Sequence, residues 1–133
     1  MPLSKGHILY IEDHEDTREL VVLVLRQQNY EVTAAACIQT AVALASANKY
    51  DLYLLDSWLP DGSGLDLCRK IREFDTRTPI LFYSAAAYEI DQELALSSGA
   101  QGYLVKPTAN SELCDLVSFL IGGPALQPVA ATQ

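Results

Sequence analysis

Five short apolar runs alternate along this chain with five helical patterns. The apolar runs predict strands at residues 7–11, 30–35, 52–55, 80–83 and 102–106. The helical patterns follow them, at residues 15–28, 38–49, 63–74, 89–98 and 111–121. The third run is wholly apolar, which predicts a strand buried on both faces. This alternation indicates a doubly wound α/β fold, with a parallel five-stranded sheet, helices on both faces and right-handed crossovers.

The length of the chain allows one domain. Its 133 residues are enough to bury one substantial core and leave no room for a second. Residues 1–6 are predicted to be a short N-terminal extension, and residues 7–121 the domain itself. Residues 122–133 contain two glycines, two prolines and no charged side chain, so we predict a disordered tail or linker stub there.

Charge and hydropathy exclude several classes of function. A formal net charge of −8 argues against nucleic acid as a direct ligand, because a phosphate backbone needs a basic surface. The longest aliphatic stretch, residues 20–25, is too short for a membrane span, and the N-terminus lacks the apolar core of a signal peptide. A cytoplasmic location without membrane contact is therefore expected. Without a CxxC spacing, Cys37, Cys68 and Cys114 are predicted to be reduced thiols.

Polar residues stand at the end of four of the five predicted strands. The first strand ends in Glu12 and Asp13, the third in Asp56, the fourth in Ser84 and the fifth in Lys106. Taken singly, an aspartate there is more often a turn residue and a lysine a solvated charge. In open parallel sheets, however, ligands bind beyond the carboxyl ends of the strands. The joint placement therefore predicts a single site at this edge.

The chemistry of that set favours a metal and a phosphoryl group. Three neighbouring carboxylates raise one another's pKa unless a cation compensates them, and oxygen ligands with room for water suit Mg²⁺. A carboxylate can also attack phosphorus and form an acyl phosphate. The metal and Lys106 would then neutralise the transferring group. We therefore predict that Asp56 accepts a phosphoryl group in a Mg²⁺ pocket, with Ser84 donating its hydroxyl to a phosphoryl oxygen.

Three motifs resemble the receiver domain of two-component response regulators over about residues 7–121. They are Ile-Glu-Asp at 11–13, Leu-Leu-Asp-Ser-Trp-Leu-Pro-Asp-Gly-Ser-Gly at 54–64 and Tyr-Leu-Val-Lys-Pro at 103–107. The resemblance implies a (βα)₅ fold like that of flavodoxin. It also implies a switch controlled by phosphorylation, in which a sensor histidine kinase or a histidine phosphotransfer protein supplies the phosphoryl group. Such a domain catalyses its own phosphorylation and dephosphorylation but is no ordinary enzyme. The resemblance leaves the output partner open.

The same resemblance assigns a role to each residue. Asp56 matches the phosphoacceptor and Lys106 the lysine that pairs with phosphate. Ser84 matches the hydroxyl position. Tyr103 matches the aromatic residue that turns inward when the hydroxyl residue moves toward the phosphoryl group. A cis peptide is implied between Lys106 and Pro107, as in many relatives. Mg²⁺, with Mn²⁺ as a possible substitute, would be held by Glu12, Asp13, Asp56 and the backbone carbonyl of Trp58.

Trp58 departs from the usual pattern, in which methionine or a smaller residue stands two positions after the acceptor. Its indole either shields the acyl phosphate from water or simply packs on the surface. The first alternative predicts that Trp58 alters the lifetime of the phosphoryl group.

Three other functions fit the sequence less well than the receiver. A haloacid-dehalogenase-like phosphatase needs an aspartate two residues after its nucleophile, and Trp58 stands there and cannot transfer a proton. A flavodoxin-like cofactor protein needs a Ser/Thr/Gly-rich loop after the first strand, where the acidic residues 12–16 would repel a flavin phosphate. An inert interaction domain would have lost Asp56, Asp13 or Lys106. The receiver is therefore the favoured interpretation.

Overall fold

The computed structural model describes residues 4–122, which form a five-stranded parallel sheet between two layers of helices. Two further, very short strands form a separate antiparallel hairpin. The strands are β1 (His7–Ile11), β2 (Glu31–Ala35), β3 (Leu52–Leu55), β4 (Trp58–Leu59), β5 (Gly62–Ser63), β6 (Ile80–Ser84) and β7 (Gly102–Val105). The large sheet has the order β2-β1-β3-β6-β7, which confirms the doubly wound fold.

The helices follow the strands in the predicted alternation. They are α1 (Glu15–Gln27), α2 (Ile38–Ala47), α3 (Gly64–Arg72), α4 (Glu89–Ser97) and α5 (Asn110–Gly122). Local capping fixes where two of them begin. His14 accepts a hydrogen bond from the Thr17 amide at the start of α1, and Ser63 and Asp66 form a capping box at the start of α3.

Side chains alternate between the two sides of the sheet and fill two cores. All four residues of β3 are buried, as its apolar sequence predicts. Leu54 packs on one side with residues of α1 and α5, and Leu55 packs on the other with residues of α2, α3 and α4. Because β3 is central and closed on both faces, Asp56 at its end is held on a rigid support.

The boundaries differ from the prediction by one or two residues at several elements. Ser84 is the last residue of β6, Lys106 lies just beyond β7, and α5 extends to Gly122. The predicted cis peptide between Lys106 and Pro107 is confirmed. The hairpin of β4 and β5 stands where only turn residues were predicted, because two-residue strands carry no periodic signal. Residues 1–3 and the predicted tail beyond Gly122 lie outside the described residues.

Between residues 4 and 122, no helix combines the length and the apolar character that crossing a bilayer requires. All three cysteines are free, with Cys68 buried and the other two partly buried.

Candidate functional site

A cleft of about 640 Å³ opens at the carboxyl ends of the strands. Glu12 and Asp13 reach it from the end of β1, Asp56 from the end of β3 and Lys106 from the end of β7. Of the predicted set of three carboxylates, one hydroxyl and one ammonium, the carboxylates and the ammonium line this cleft, whereas the hydroxyl residue Ser84 is buried and does not line it. The rest of the lining adds two more acidic residues and comprises His14, Glu15, Asp16, Thr17 and Trp58.

Glu12 lies at the bottom of the cleft with only 2% of its surface exposed. Lys106 Nζ donates a hydrogen bond to Glu12 Oε1 at 2.5 Å, and the His14 amide donates to Oε2 at 3.2 Å. Burial works against ionisation of Glu12, but the hydrogen bond and charge of Lys106 hold its pKa below the ordinary value. Glu12 is therefore a charged carboxylate at neutral pH, with Lys106 as its counter-ion.

Asp56 is buried beside this ion pair and is less well compensated. Its Oδ1 accepts a hydrogen bond of 2.7 Å from the Ser57 amide, whereas Lys106 Nζ lies 3.8 Å from Oδ2. Burial, opposed by the positive charge of Lys106 and reinforced by the negative charge of Glu12, raises the pKa of Asp56 to about 6. The cleft therefore holds more negative charge than one lysine can balance.

The donor set fits a hard divalent cation. One carboxylate oxygen from each of Glu12, Asp13 and Asp56 lies within 4.8 Å of the other two. Asp13 is exposed, so its carboxylate faces the open side of the cleft, where ligands can also be water. Carboxylate oxygens with room for water are the ligands that Mg²⁺ prefers. Trp58, in β4, also lines this cleft, and the ligand role of its backbone carbonyl stays a prediction of the resemblance.

Ser84 and Tyr103 meet at one residue that the sequence did not indicate. Ser84 is fully buried, and its Oγ accepts a hydrogen bond of 3.0 Å from the Ala86 amide. The Tyr103 hydroxyl donates to the carbonyl oxygen of the same Ala86 at 2.6 Å, and its ring stacks on Phe82 at 5.7 Å between centroids. The loop after β6 thus joins the two residues of the predicted switch.

Three further side chains support the charged residues of the cleft. The Tyr10 hydroxyl donates to Glu12 Oε1 at 3.4 Å, and the Tyr83 ring lies 5.2 Å below Lys106 Nζ. Arg18 donates to the Glu12 carbonyl at 2.9 Å. Both tyrosines sit in apolar strands, where the sequence pattern indicates core residues and gives no sign of contact with a charge.

Gly64, the first residue of α3, lies directly against the backbone of Asp56. Its amide donates to the Ser57 carbonyl at 2.8 Å. A Cβ atom at this position would stand 2.2 Å from the carbonyl oxygen of Asp56 and 2.9 Å from Phe82 Cε2. The close approach of α3 to the end of β3 therefore requires glycine.

The Trp58 side chain is 62% exposed and contributes to the mouth of the cleft. It also borders a smaller cavity of about 100 Å³, whose other lining residues include Ser57, Leu65 and Phe82. This position is compatible with both alternatives for the indole, so its effect on phosphoryl lifetime stays a prediction.

Comparison of the sequence with known families gives a match over nearly the whole domain. The sequence profile described as "Response regulator receiver domain" matches residues 8–118. A probable transcriptional regulatory protein from Picosynechococcus is 38% identical over 117 residues, which are 83% of this chain and 47% of that protein. The response regulator ArlR from Staphylococcus saprophyticus is 38% identical over 106 residues, 80% of this chain and 48% of that protein. The chain spans about half the length of these curated relatives.

Solved structures match with the same topology. One is the receiver domain of a sensor histidine kinase from Pseudomonas aeruginosa, with a TM-score of 0.83 and 33% identity over 89% of this chain and 98% of that one. That structure has a magnesium ion coordinated in its active-site cleft. Another is the non-phosphorylated HemR receiver domain from Leptospira biflexa, with a TM-score of 0.84 and 31% identity over 91% and 98% of the two chains.

Proposed function

Because the chain belongs to the response regulator receiver domain family, we propose that its Asp56 accepts a phosphoryl group in a Mg²⁺-dependent reaction and that phosphorylation changes partner binding. The observation that carries this proposal is the buried Asp56 carboxylate, which has two acidic neighbours within metal-binding distance and a lysine at its edge. Burying two such carboxylates next to a third is costly unless they serve a cation and a charged ligand.

The chemical step follows from the placement of these groups. A lone pair on an Asp56 carboxylate oxygen forms the new bond to phosphorus, and the bond to the donor's leaving group breaks with its electron pair. Mg²⁺ would be held by Glu12, Asp13, Asp56 and the Trp58 carbonyl, and when bound it supplies charge neutralisation for the phosphoryl oxygens. Lys106 provides the second positive charge at the same oxygens. Mn²⁺ suits the same oxygen ligands.

The output of this chemistry is binding rather than turnover of a substrate. Trp58 stands where an aspartyl phosphatase would need a general acid, so the acyl phosphate is stored. A sensor histidine kinase or a histidine phosphotransfer protein would donate the phosphoryl group, in the cytoplasm. The domain would then signal to a protein partner or an attached output domain. With its net charge of −8, the chain itself would not contact nucleic acid directly.

The contacts at Ala86 support a route for the switch. Movement of the Ser84 hydroxyl toward a phosphoryl oxygen would break its hydrogen bond to the Ala86 amide. The same residue holds Tyr103 through its carbonyl, so the loop and the ring would rearrange together.

The proposal is tested by incubating the chain with acetyl phosphate and Mg²⁺ and measuring its intact mass. We expect a gain of one phosphoryl group, and we expect a chelator of divalent cations to prevent it. Continued release of inorganic phosphate at a high rate, without accumulation of the modified chain, would indicate a phosphatase and contradict the proposal.

Trp58→Met is expected to shorten the lifetime of the acyl phosphate, because the flexible thioether covers the mouth of the cleft less completely than an indole. The measurement is the first-order loss of the phosphorylated mass after the donor is removed. Trp58→Phe is the matched control, since it keeps an aromatic ring and should fall between the parent and the methionine variant. Equal rates in all three proteins would show that Trp58 only packs on the surface.

A further inference from the structure

The start of α2 has an unusual cap. Cys37 occupies the N-cap position but makes no side-chain capping hydrogen bond, and the first turn of α2 contains no acidic residue. The carboxylate of Asp61, far away in sequence, fills this role. Its Oδ1 accepts from the Ile38 amide at 2.8 Å and its Oδ2 from the Gln39 amide at 3.0 Å. A residue outside the helix therefore satisfies two of its free amides.

Asp61 belongs to the turn that joins β4 to β5. In that hairpin Trp58 pairs with Ser63 and Leu59 pairs with Gly62. A second contact fastens the same turn to α2. A Cβ at Gly62 would lie 2.7 Å from Ile38 Cδ1, and the φ of Gly62 is +151°. The hairpin is thus held against the first turn of α2 by a charged cap and by close packing.

The start of α2 is also connected to the other side of the metal site. The amide of Glu12 donates to the carbonyl of Ala35, the last residue of β2, at 3.0 Å. Only two residues separate Ala35 from Ile38, the first residue of α2. The helix start is therefore tied to the Glu12 end of the cleft through β2 and to the Trp58 end through Asp61.

From these contacts we infer that Asp61 is a positioning residue for Mg²⁺. Its carboxylate fixes the hairpin on α2 and so keeps the Trp58 carbonyl at a set distance from the carboxylates of Glu12 and Asp56. The inference rests on the proposed function, because it requires the Trp58 carbonyl to be a metal ligand. Asp61 touches neither the metal nor the phosphoryl group in this role. The two α2 amides hold the pKa of Asp61 below its ordinary value, so the cap is charged at neutral pH.

The test is the affinity of the full chain for Mg²⁺, measured by calorimetry and by the emission of Trp58, the one tryptophan in the sequence. Asp61→Ala should weaken Mg²⁺ binding on the order of tenfold, as loss of groups that orient metal ligands usually does. Asp61→Asn keeps an acceptor oxygen and should lose less. Equal losses in the two variants would indicate long-range charge instead of positioning and would overturn the inference.

Two controls separate positioning from a general effect. Asn48→Ala removes the hydrogen bond from Asn48 Nδ2 to the Leu44 carbonyl at the opposite end of α2, so it perturbs the helix without touching the hairpin. Asp115→Ala removes an exposed carboxylate from α5, on the other side of the sheet. Both should bind Mg²⁺ like the parent. An Asn48→Ala variant as weak as Asp61→Ala would attribute the loss to helix stability and contradict the inference.

Asp13→Asn distinguishes failure of the inference from failure of the proposed function. It removes the carboxylate expected to bind Mg²⁺ directly and should abolish binding. If it does so while Asp61→Ala binds like the parent, the inference alone is wrong. If the parent fails to bind Mg²⁺, or Asp13→Asn binds it as the parent does, both the proposed metal site and the inference about Asp61 are wrong.

Discussion

Asp56→Asn is expected to abolish the mass gain of one phosphoryl group on incubation with acetyl phosphate and Mg²⁺. The substitution preserves the size of the side chain, but an amide has no anionic oxygen with which to attack phosphorus. The surrounding charge would also change, since Asp56 is one of the three carboxylates that face each other within 4.8 Å. Intact mass measured at several times after mixing follows the reaction directly.

Asp115→Asn is the matched control for this experiment, because it makes the same chemical change on the exposed surface of α5. It should gain the phosphoryl group at the rate of the parent. An undiminished gain in Asp56→Asn would place the acceptor elsewhere, and peptide mapping of the modified chain would then identify it.

Gly64→Ala is expected to lower the free energy of unfolding by about 3 kcal/mol, at the upper end of the usual cost of overpacking. Helix propensity alone predicts that the free energy of unfolding would rise, since alanine is favoured over glycine within a helix by about 1 kcal/mol. The clash decides the outcome. The new Cβ would meet the carbonyl oxygen of Asp56 at 2.2 Å, and backbone at the end of a central strand cannot move aside cheaply. Urea denaturation measures the loss.

Gly122→Ala provides the comparison, because a Cβ at Gly122 meets nothing within 4 Å. This variant should stay within about 0.5 kcal/mol of the parent. Any folded Gly64→Ala protein should also accept a phosphoryl group more slowly, since the clash displaces the backbone that carries Asp56. Stability equal to that of Gly122→Ala would show that α3 can shift away from β3 without loss.

The features that the sequence predicted well depend on the regular spacing of apolar residues and on the positions where the strands end. The alternation of apolar runs and helical patterns identified the parallel sheet, and the carboxyl ends of its strands located Glu12, Asp13 and Asp56 together. These inferences succeed because the geometry of a βα repeat brings every strand end to one edge. No knowledge of side-chain packing is needed for them.

The features that escaped prediction depend on distances that only the folded chain defines. The amide and carbonyl of Ala86, which connect Ser84 with Tyr103, belong to the backbone and leave no mark in the sequence. The hairpin at Trp58 is too short to show a period. The cap that Asp61 places on α2 joins segments more than twenty residues apart, so no local capping motif reveals it.

Lys106 pairs more closely with Glu12 than with Asp56, and this pairing bears on the order of metal binding and phosphoryl transfer. Its ammonium lies 2.5 Å from Glu12 and 3.8 Å from Asp56, so before any ligand arrives it serves mainly as the counter-ion of Glu12. Leaving Glu12 unpaired would cost roughly 3–5 kcal/mol, the usual penalty for stranding one buried charge of a pair. In the proposed reaction, Lys106 would turn to incoming phosphoryl oxygens only where a cation beside Glu12 took over its charge. The domain would then respond to phosphodonors only with its metal bound.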